Sequence, residues 1–336
     1  MLTFVVLAVT QTSLASQYKE QETQTFYISK NGTVKLYGDE GNIEVQVWDR
    51  DSVQVNMTRR VWARSPERAR DILKRMQVEF EESSDLLVIR EQDFYKKRNF
   101  NFFDIFDGDF WTDETWRTGS IDYVLMVPDM VRLEVHCDEG DINLSGLKNA
   151  LYLEVDEGDV DIHSLDAEII YIRVDEGDLY LDHLGSRHKA ELKIRSDEGD
   201  IHVENSILST MDIRTDEGRI VTRNVNAGSA VLQTDEGTID VDIPPERNGR
   251  YRYAADEGDV HIRLSDFANA DLDLLTEEGH IDTDFDLPVR RNDDRSVLSG
   301  KLGDGSANIK SSVDEGDIFL IRVSGSPFME PEKVDE

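Results

Sequence analysis

The sequence predicts an all-β fold, a parallel β-solenoid of about 20 residues per rung with one amphipathic helix near its start. Three observations predict it. The triplet Asp-Glu-Gly occurs nine times and Glu-Glu-Gly once, and from Gly140 to Gly279 successive glycines lie 18, 19, 22, 19, 19, 21 and 21 residues apart. On both sides of each glycine, apolar and polar residues alternate with period two. Such a period is too short for a strand–helix–strand unit, and it lacks helical spacing.

Each repeat reads as two half-buried strands joined at a bend. Leu153 and Val155, Ile172 and Val174, and Ile194 and Ser196 run into the glycine; Val160 and Ile162, Leu179 and Leu181, and Ile201 and Val203 run out of it. Glycine supplies the positive φ of the bend without a Cβ clash. The residue before the acidic pair is mostly small (Cys137, Ser196, Thr215, Thr234, Ala255, Thr276), as an inward position at a sharp corner requires. Cys137, the single cysteine, therefore reads as a small core residue, and no intramolecular disulfide is available. Stability must come from rungs stacked about 4.8 Å apart, and the open ends of the stack need caps.

Residues 17–130 read as the N-terminal cap, 131–325 as the repeats and 326–336 as a disordered acidic tail. Within the cap, Ser65 and Pro66 form a helix start, followed by Ala69, Ile72, Leu73 and Met76 at helical spacing. Strands are expected in "VEFEESSDLLVIRE" and "IDYVLMVP". Residues 1–16 carry no side-chain charge, open on an apolar run and end near Ser13-Leu14-Ala15, which reads as a signal peptide; an apolar first strand is the alternative. No later segment is long and apolar enough to span a bilayer.

With a net charge of −34 over 336 residues, nucleic-acid binding is excluded, since phosphate contacts need a basic surface. An anionic membrane surface is disfavoured for the same reason. Cations or a basic partner are the natural counter-charges.

The run "IDYVLMVPDMVRLEVHCDEGDINLSGL" (121–147) resembles the bacterial putative-adhesin family of secreted β-strand repeats: a strand ending at Val-Pro, a short apolar strand, then a turn with Gly-Asp-Ile. "LSGKLGDGSANIKSSVDEGDIFLIRV" (298–323) resembles that family's closing segment. The resemblance, over roughly 30–325, implies a right-handed β-solenoid in an extracytoplasmic protein (periplasmic, secreted or cell-surface) of unknown biochemistry. The family's turns are commonly Ser-Gly-rich, whereas this chain writes Asp-Glu at almost every one, so the acidic column is what needs explaining.

Stacking places the glutamates in one file and the aspartates in another. Two carboxylates 4.8 Å apart in water repel by about 0.9 kcal/mol, which salt and splaying reduce. Three accounts compete. In the first, the turns are solvated, Asp caps backbone N–H groups, and Arg173, Arg195 and Arg214 form a basic file that neutralises part of the column. In the second, Ca²⁺ sits between rungs, with Asp138, Glu139, Asp141, Asp156, Glu157, Asp159, Asp175, Glu176, Asp178, Asp197, Glu198 and Asp200 as candidate ligands. In the third, the column engages a basic surface. Asn42, Arg219, Thr238 and His280 interrupt the Asp that usually follows the glycine, so a bound metal favours rungs 138–200.

The segment 94–116 packs nine aromatic residues around Gly and Asp with no clean period. Phe102, Phe103, Phe106, Trp111 and Trp116 either cover the solenoid mouth, burying their own rings, or form an exposed patch for a protein, glycan or membrane interface. The partner expected of the whole chain is a cell-envelope or surface component, or a basic partner. Stacked coils also host polysaccharide lyases and hydrolases, but every rung offers the same carboxylate pair and none is singled out. His202 and His261 read as exposed strand residues three rungs apart. The expectation is a non-enzymatic binding or structural module with no certain cofactor; a carbohydrate-active β-helix enzyme is the alternative.

Overall fold

A computed structural model describes residues 6–10, 16–92, 119–185 and 189–324. Its strands divide between two compact units, Met1–Ile142 and Asn143–Glu336. The described chain is all-β, with long parallel sheets and one short helix, and is β-solenoid-like.

In the C-terminal unit the strands entering the turns form one parallel sheet and the strands leaving them another. Leu153 pairs with Ile172, Ile172 with Ile194, Ile194 with Ile213, Ile213 with Leu232 and Leu232 with Tyr253. All six side chains are at most 1% exposed. Beyond the turns, Val160, Leu179, Ile201, Ile220, Ile239 and Val260 stack in the same way and are fully buried. Burying an aliphatic side chain contributes roughly 1.5–3 kcal/mol, so each rung brings its own share of the core.

The stack does not follow chain order at its end. Tyr253 pairs with Ser311, and Ser311 with Leu274, so the last strand pair (Ala307–Glu315 and Ile318–Val323) lies between the rungs of residues 250–265 and 270–283. The glycine spacing cannot reveal this, because it orders rungs along the chain and not in space. Antiparallel strands Arg295–Leu302 and Val289–Asn292 then cover the outermost entering strand. The final edge is short and carries exposed Arg290, Arg291 and Asn292, a device that discourages edge-to-edge association.

The second corner of four successive rungs uses residues other than glycine. Ser164, His183, Asn205 and Asn224 adopt left-handed φ of 57°, 56°, 47° and 51°. Asn224 donates its side-chain amide to Asn205 at 2.8 Å, and Asn205 donates to Asp182 at 2.8 Å. For Asp182, burial raises the carboxyl pKa, but hydrogen bonds from Asn205 and His183 outweigh it and leave the pKa below its ordinary value.

The N-terminal unit is more antiparallel. Val6–Thr10 pairs with Ser16–Tyr27, that strand with Ser52–Ala63, and that in turn with Gly119–Pro128, all antiparallel. Ile43–Trp48 joins Gly119–Pro128 in parallel. The helix Pro66–Leu73 begins where Ser65 accepts the Arg68 N–H at 3.2 Å, and buries Ala69 and Leu73 against Tyr18, Val61 and Ala63. It packs on the antiparallel strands, not on the turn-bearing rung of residues 33–48. Cys137 is 3% exposed and its thiol points at the Gly41 carbonyl 3.8 Å away, in keeping with a small core residue.

Candidate functional site

The acidic turns form one continuous feature in the C-terminal unit. Glu157, Glu176, Glu198, Glu217, Glu236, Glu257, Glu315 and Glu278 are register partners in that order, and all eight are exposed. In the N-terminal unit Glu40 pairs with Glu139.

The backbone explains why the turn repeats. From Gly158 to Gly258 the turn glycines donate their N–H to the glutamate carbonyl of the next rung, as Gly158 does to Glu176 at 2.9 Å and Gly177 to Glu198 at 3.0 Å, whereas Gly279 at the end of the stack donates to Asp294 at 2.9 Å. The residue after glycine faces the opposite way, and its N–H needs another acceptor. The preceding rung's aspartate supplies it. Asp159 accepts from Asp178 (2.9 Å), Asp178 from Asp200 (2.8 Å), Asp200 from Arg219 (2.9 Å), Asp259 from Asp317 (2.8 Å) and Asp317 from His280 (2.7 Å). In the N-terminal unit Asp122 and Asn42 do the same for Asn42 and Asp141, at 3.3 and 3.2 Å. His280 ends the stack, so no following rung requires a carboxylate from it.

The glycines are fixed by close approach as well as by φ. At Gly177 φ is +148°, and a Cβ would lie 2.1 Å from the Gly158 carbonyl oxygen. At Gly279 the approach alone decides, with a Cβ 2.0 Å from the Gly316 oxygen. The buried hydroxyls just before the turn serve carbonyls there: Thr215 donates to Glu217 at 3.0 Å and Thr276 to Gly316 at 2.8 Å.

The expected neutralising and metal groups fall along these turns. Arg173, Arg195 and Arg214 do stack in register. Only Arg173 turns to the acidic corner, 2.8 Å from Asp175 and 3.5 Å from Asp197, and Asp175 first among them raises its pKa. Arg195 and Arg214 instead hold Asp212, at 2.9 and 3.3 Å. The candidate calcium ligands Asp138, Glu139, Asp141, Asp156, Glu157, Asp159, Asp175, Glu176, Asp178, Asp197, Glu198 and Asp200 are strung along the turns. Among the described residues no three or more His, Cys, Asp or Glu side chains converge on a point that suits a metal ion. Phe102, Phe103, Phe106, Trp111 and Trp116 lie outside the described residues.

A second cluster escaped the sequence reading. Asp240, whose side chain is 3% exposed, lies among three arginines. Arg223 and Arg263 pair with it directly and Arg219 approaches to 3.7 Å. Burial, then Arg223 and Arg219, lower the pKa of Arg263. Burial lowers that of His261 as well, and Arg219 and Arg223 add to the shift against the opposing pull of Asp259. The only signal in the sequence was Arg219 standing where the four preceding repeats carry Asp. His202 stacks on Tyr180 at 4.9 Å and His261 meets Phe319 edge-on at 4.8 Å, three strands apart as expected.

Stacked parallel rungs with a bracketed turn define a β-solenoid-like repeat protein with no helix long and apolar enough to cross a membrane among its described residues. The chain belongs to the Toastrack DUF4097 family, whose model matches residues 146–320. The expected membership of a β-repeat family of unknown function holds. Among solved structures, it is similar to a putative adhesin from Bacteroides fragilis, with 13% identity, coverage of 90% of this chain and 97% of that one, and a TM-score of 0.42. A putative lipid binding protein from Parabacteroides distasonis gives 12% identity, coverage of 90% and 96%, and a TM-score of 0.41. A putative cell adhesion protein from Clostridium sporogenes gives 7%, 91% and 100%, and 0.25. No curated protein matches the chain.

Proposed function

We propose that the chain is a non-enzymatic, extracytoplasmic binding scaffold, a right-handed coil of about 20 residues per rung that presents its glutamate file to a basic partner on the cell envelope. One observation carries this reading: the register that lines up eight exposed glutamates from Glu157 to Glu278. The post-glycine aspartates beside them are tied into backbone brackets, so the glutamate file and the turn aspartates that precede it repeat the same outward carboxylates rung after rung and no acid–base pair stands apart. A spacing near 4.8 Å suits a partner whose cations repeat at a similar interval. Non-local charge steers encounter, and the local file sets register.

The test is binding to a polylysine surface at physiological salt. Replacing Glu176, Glu198, Glu217 and Glu236 with Gln should weaken binding roughly tenfold or more. The same charge removed as Glu154→Gln, Glu191→Gln, Asp271→Asn and Asp273→Asn should cost far less. Equal losses from the two sets would reduce the effect to net charge and defeat the proposal. Export is tested separately by sequencing the mature N-terminus, expected near Ala15.

A further inference from the structure

The glutamate file is regular, and the place where the aspartate bracket lapses is not. Two successive rungs, at Arg219 and Thr238, lack the post-glycine Asp, and the three-arginine cluster sits beside this lapse. Repetition broken inside a stack, away from its ends, marks a position under a separate demand. Arg219 precedes the strand Ile220–Arg223 and Arg223 ends it, Asp240 lies on the next strand, Ile239–Val241, and Arg263 on the one after, Val260–Ser265.

The donors exceed what Asp240 can accept. Each guanidinium carries five N–H donors, against about four lone-pair sites on one carboxylate. Arg223 also donates to the Thr222 carbonyl at 2.8 Å and the Asp240 carbonyl at 3.4 Å. The side chains of Arg219, Arg223 and Arg263 remain 48%, 37% and 25% exposed, so donor edges face solvent around a buried carboxylate. The outward file through Asp240 reads Tyr180, His202, Val221, Asp240, His261, Phe319, which brackets the arginines between two ring pairs. The inner rings, His202 and His261, stand three strand steps apart, roughly 14 Å at about 4.8 Å per step, which leaves room for a short saccharide.

We propose that Arg219, Arg223 and Arg263 form a binding site for a short acidic saccharide, with the sugar carboxylate on the guanidinium groups and its ring between His202 and His261. Planar guanidinium forks match a carboxylate bidentately, and ring faces take the apolar side of a sugar. The acidic surroundings, Asp200, Glu204 and Asp259 among them, favour a terminal acidic unit over a long polyanion. At physiological salt the screening length is about 8 Å, so distant glutamates do not cancel a local site but would repel an extended chain.

Titration of the full chain by NMR with digalacturonate, the neutral analogue galactobiose, polygalacturonate and inorganic sulfate tests this. Saturable binding of digalacturonate is expected, at least tenfold weaker in Arg219→Gln/Arg223→Gln and less than twofold weaker in Arg250→Gln/Arg252→Gln, which removes equal charge elsewhere. The single variant Arg219→Gln touches a half-exposed side chain and should weaken binding severalfold with melting unchanged. The glutamate-to-glutamine set above should leave it intact, which separates this site from the acidic edge. Equal effects of the two arginine pairs would overturn the proposal. So would galactobiose or sulfate binding as tightly as digalacturonate, or polygalacturonate binding more tightly per site.

Discussion

The carboxylate of Asp178 accepts the backbone N–H of Asp200 at 2.8 Å while the Asp178 N–H is itself held by Asp159 at 2.9 Å. Each aspartate is thus both bracket and bracketed, and one side chain serves two rungs. A carboxylate accepting from an amide is a charge-assisted bond, and deleting it strands a half-buried donor at a cost of about 1–3 kcal/mol. Asp178→Ala should therefore lower stability by about 1–2 kcal/mol in urea titration. Asp178→Asn keeps the Oδ1 acceptor, as Asn42 does for Asp141, and should be nearly neutral. Equal losses from Ala and Asn would mean that charge, not the bracket, is what matters.

Glycine makes a sharper demand. Gly177→Ala forces a Cβ to within 2.1 Å of the Gly158 oxygen at a φ of +148°. The expected loss is about 2–4 kcal/mol, with backbone strain added to the displacement of a stacked carbonyl. Gly38→Ala meets nothing closer than 3.5 Å and should change the melting temperature little. A tolerant Gly177 would show that the stack relaxes at its corners.

How much of this was legible depends on the reach of each signal. The alternation of Leu153 and Val155 or Val160 and Ile162 is local, and period two fixes which residues face the core. The turn glycines were legible for the same reason. The position of the Ala307–Val323 rung between two earlier ones was not, because parallel pairing leaves no mark on the residues that choose their neighbour. The second corner was missed since Ser164, His183, Asn205 and Asn224 share a conformation and not an identity. The arginine cluster draws residues 219, 223, 240 and 263 from three strands, a pattern visible only once the register is known.

Calcium gives a direct test of the turn's role. An ion bound only to the native state raises stability by about 2.7 kcal/mol at a hundred times its dissociation constant. Screening depends on ionic strength alone. With Asp159, Asp178 and Asp200 already serving amides and no converging carboxylate group among the described residues, millimolar Ca²⁺ should shift the melting temperature no more than sodium at matched ionic strength. A calcium excess abolished by Asp159→Asn/Asp178→Asn/Asp200→Asn would favour the metal account.

Glu91 supplies the pH dependence. Burial pushes its carboxyl from the ordinary 4.5 up to about 8, against hydrogen bonds from the Tyr123 hydroxyl and the Asp39 amide that pull it down. Tyr123 itself is 1% exposed, and burial with the nearby Glu91 raises its phenol well above the usual value. Because the folded state holds the Glu91 proton more tightly than the unfolded chain, it binds more protons between these two values, and stability falls as pH rises through that window. Below 4.5 both states are protonated and the group contributes no slope; above about 8 both are ionised and the loss is complete. Denaturation of the wild type should therefore grow easier from pH 5 to pH 8.5. Glu91→Gln, neutral throughout, should flatten that slope and be the more stable form at the alkaline end. A variant whose stability tracks the wild type across the range would place the ionised carboxylate comfortably in the fold and refute the assignment.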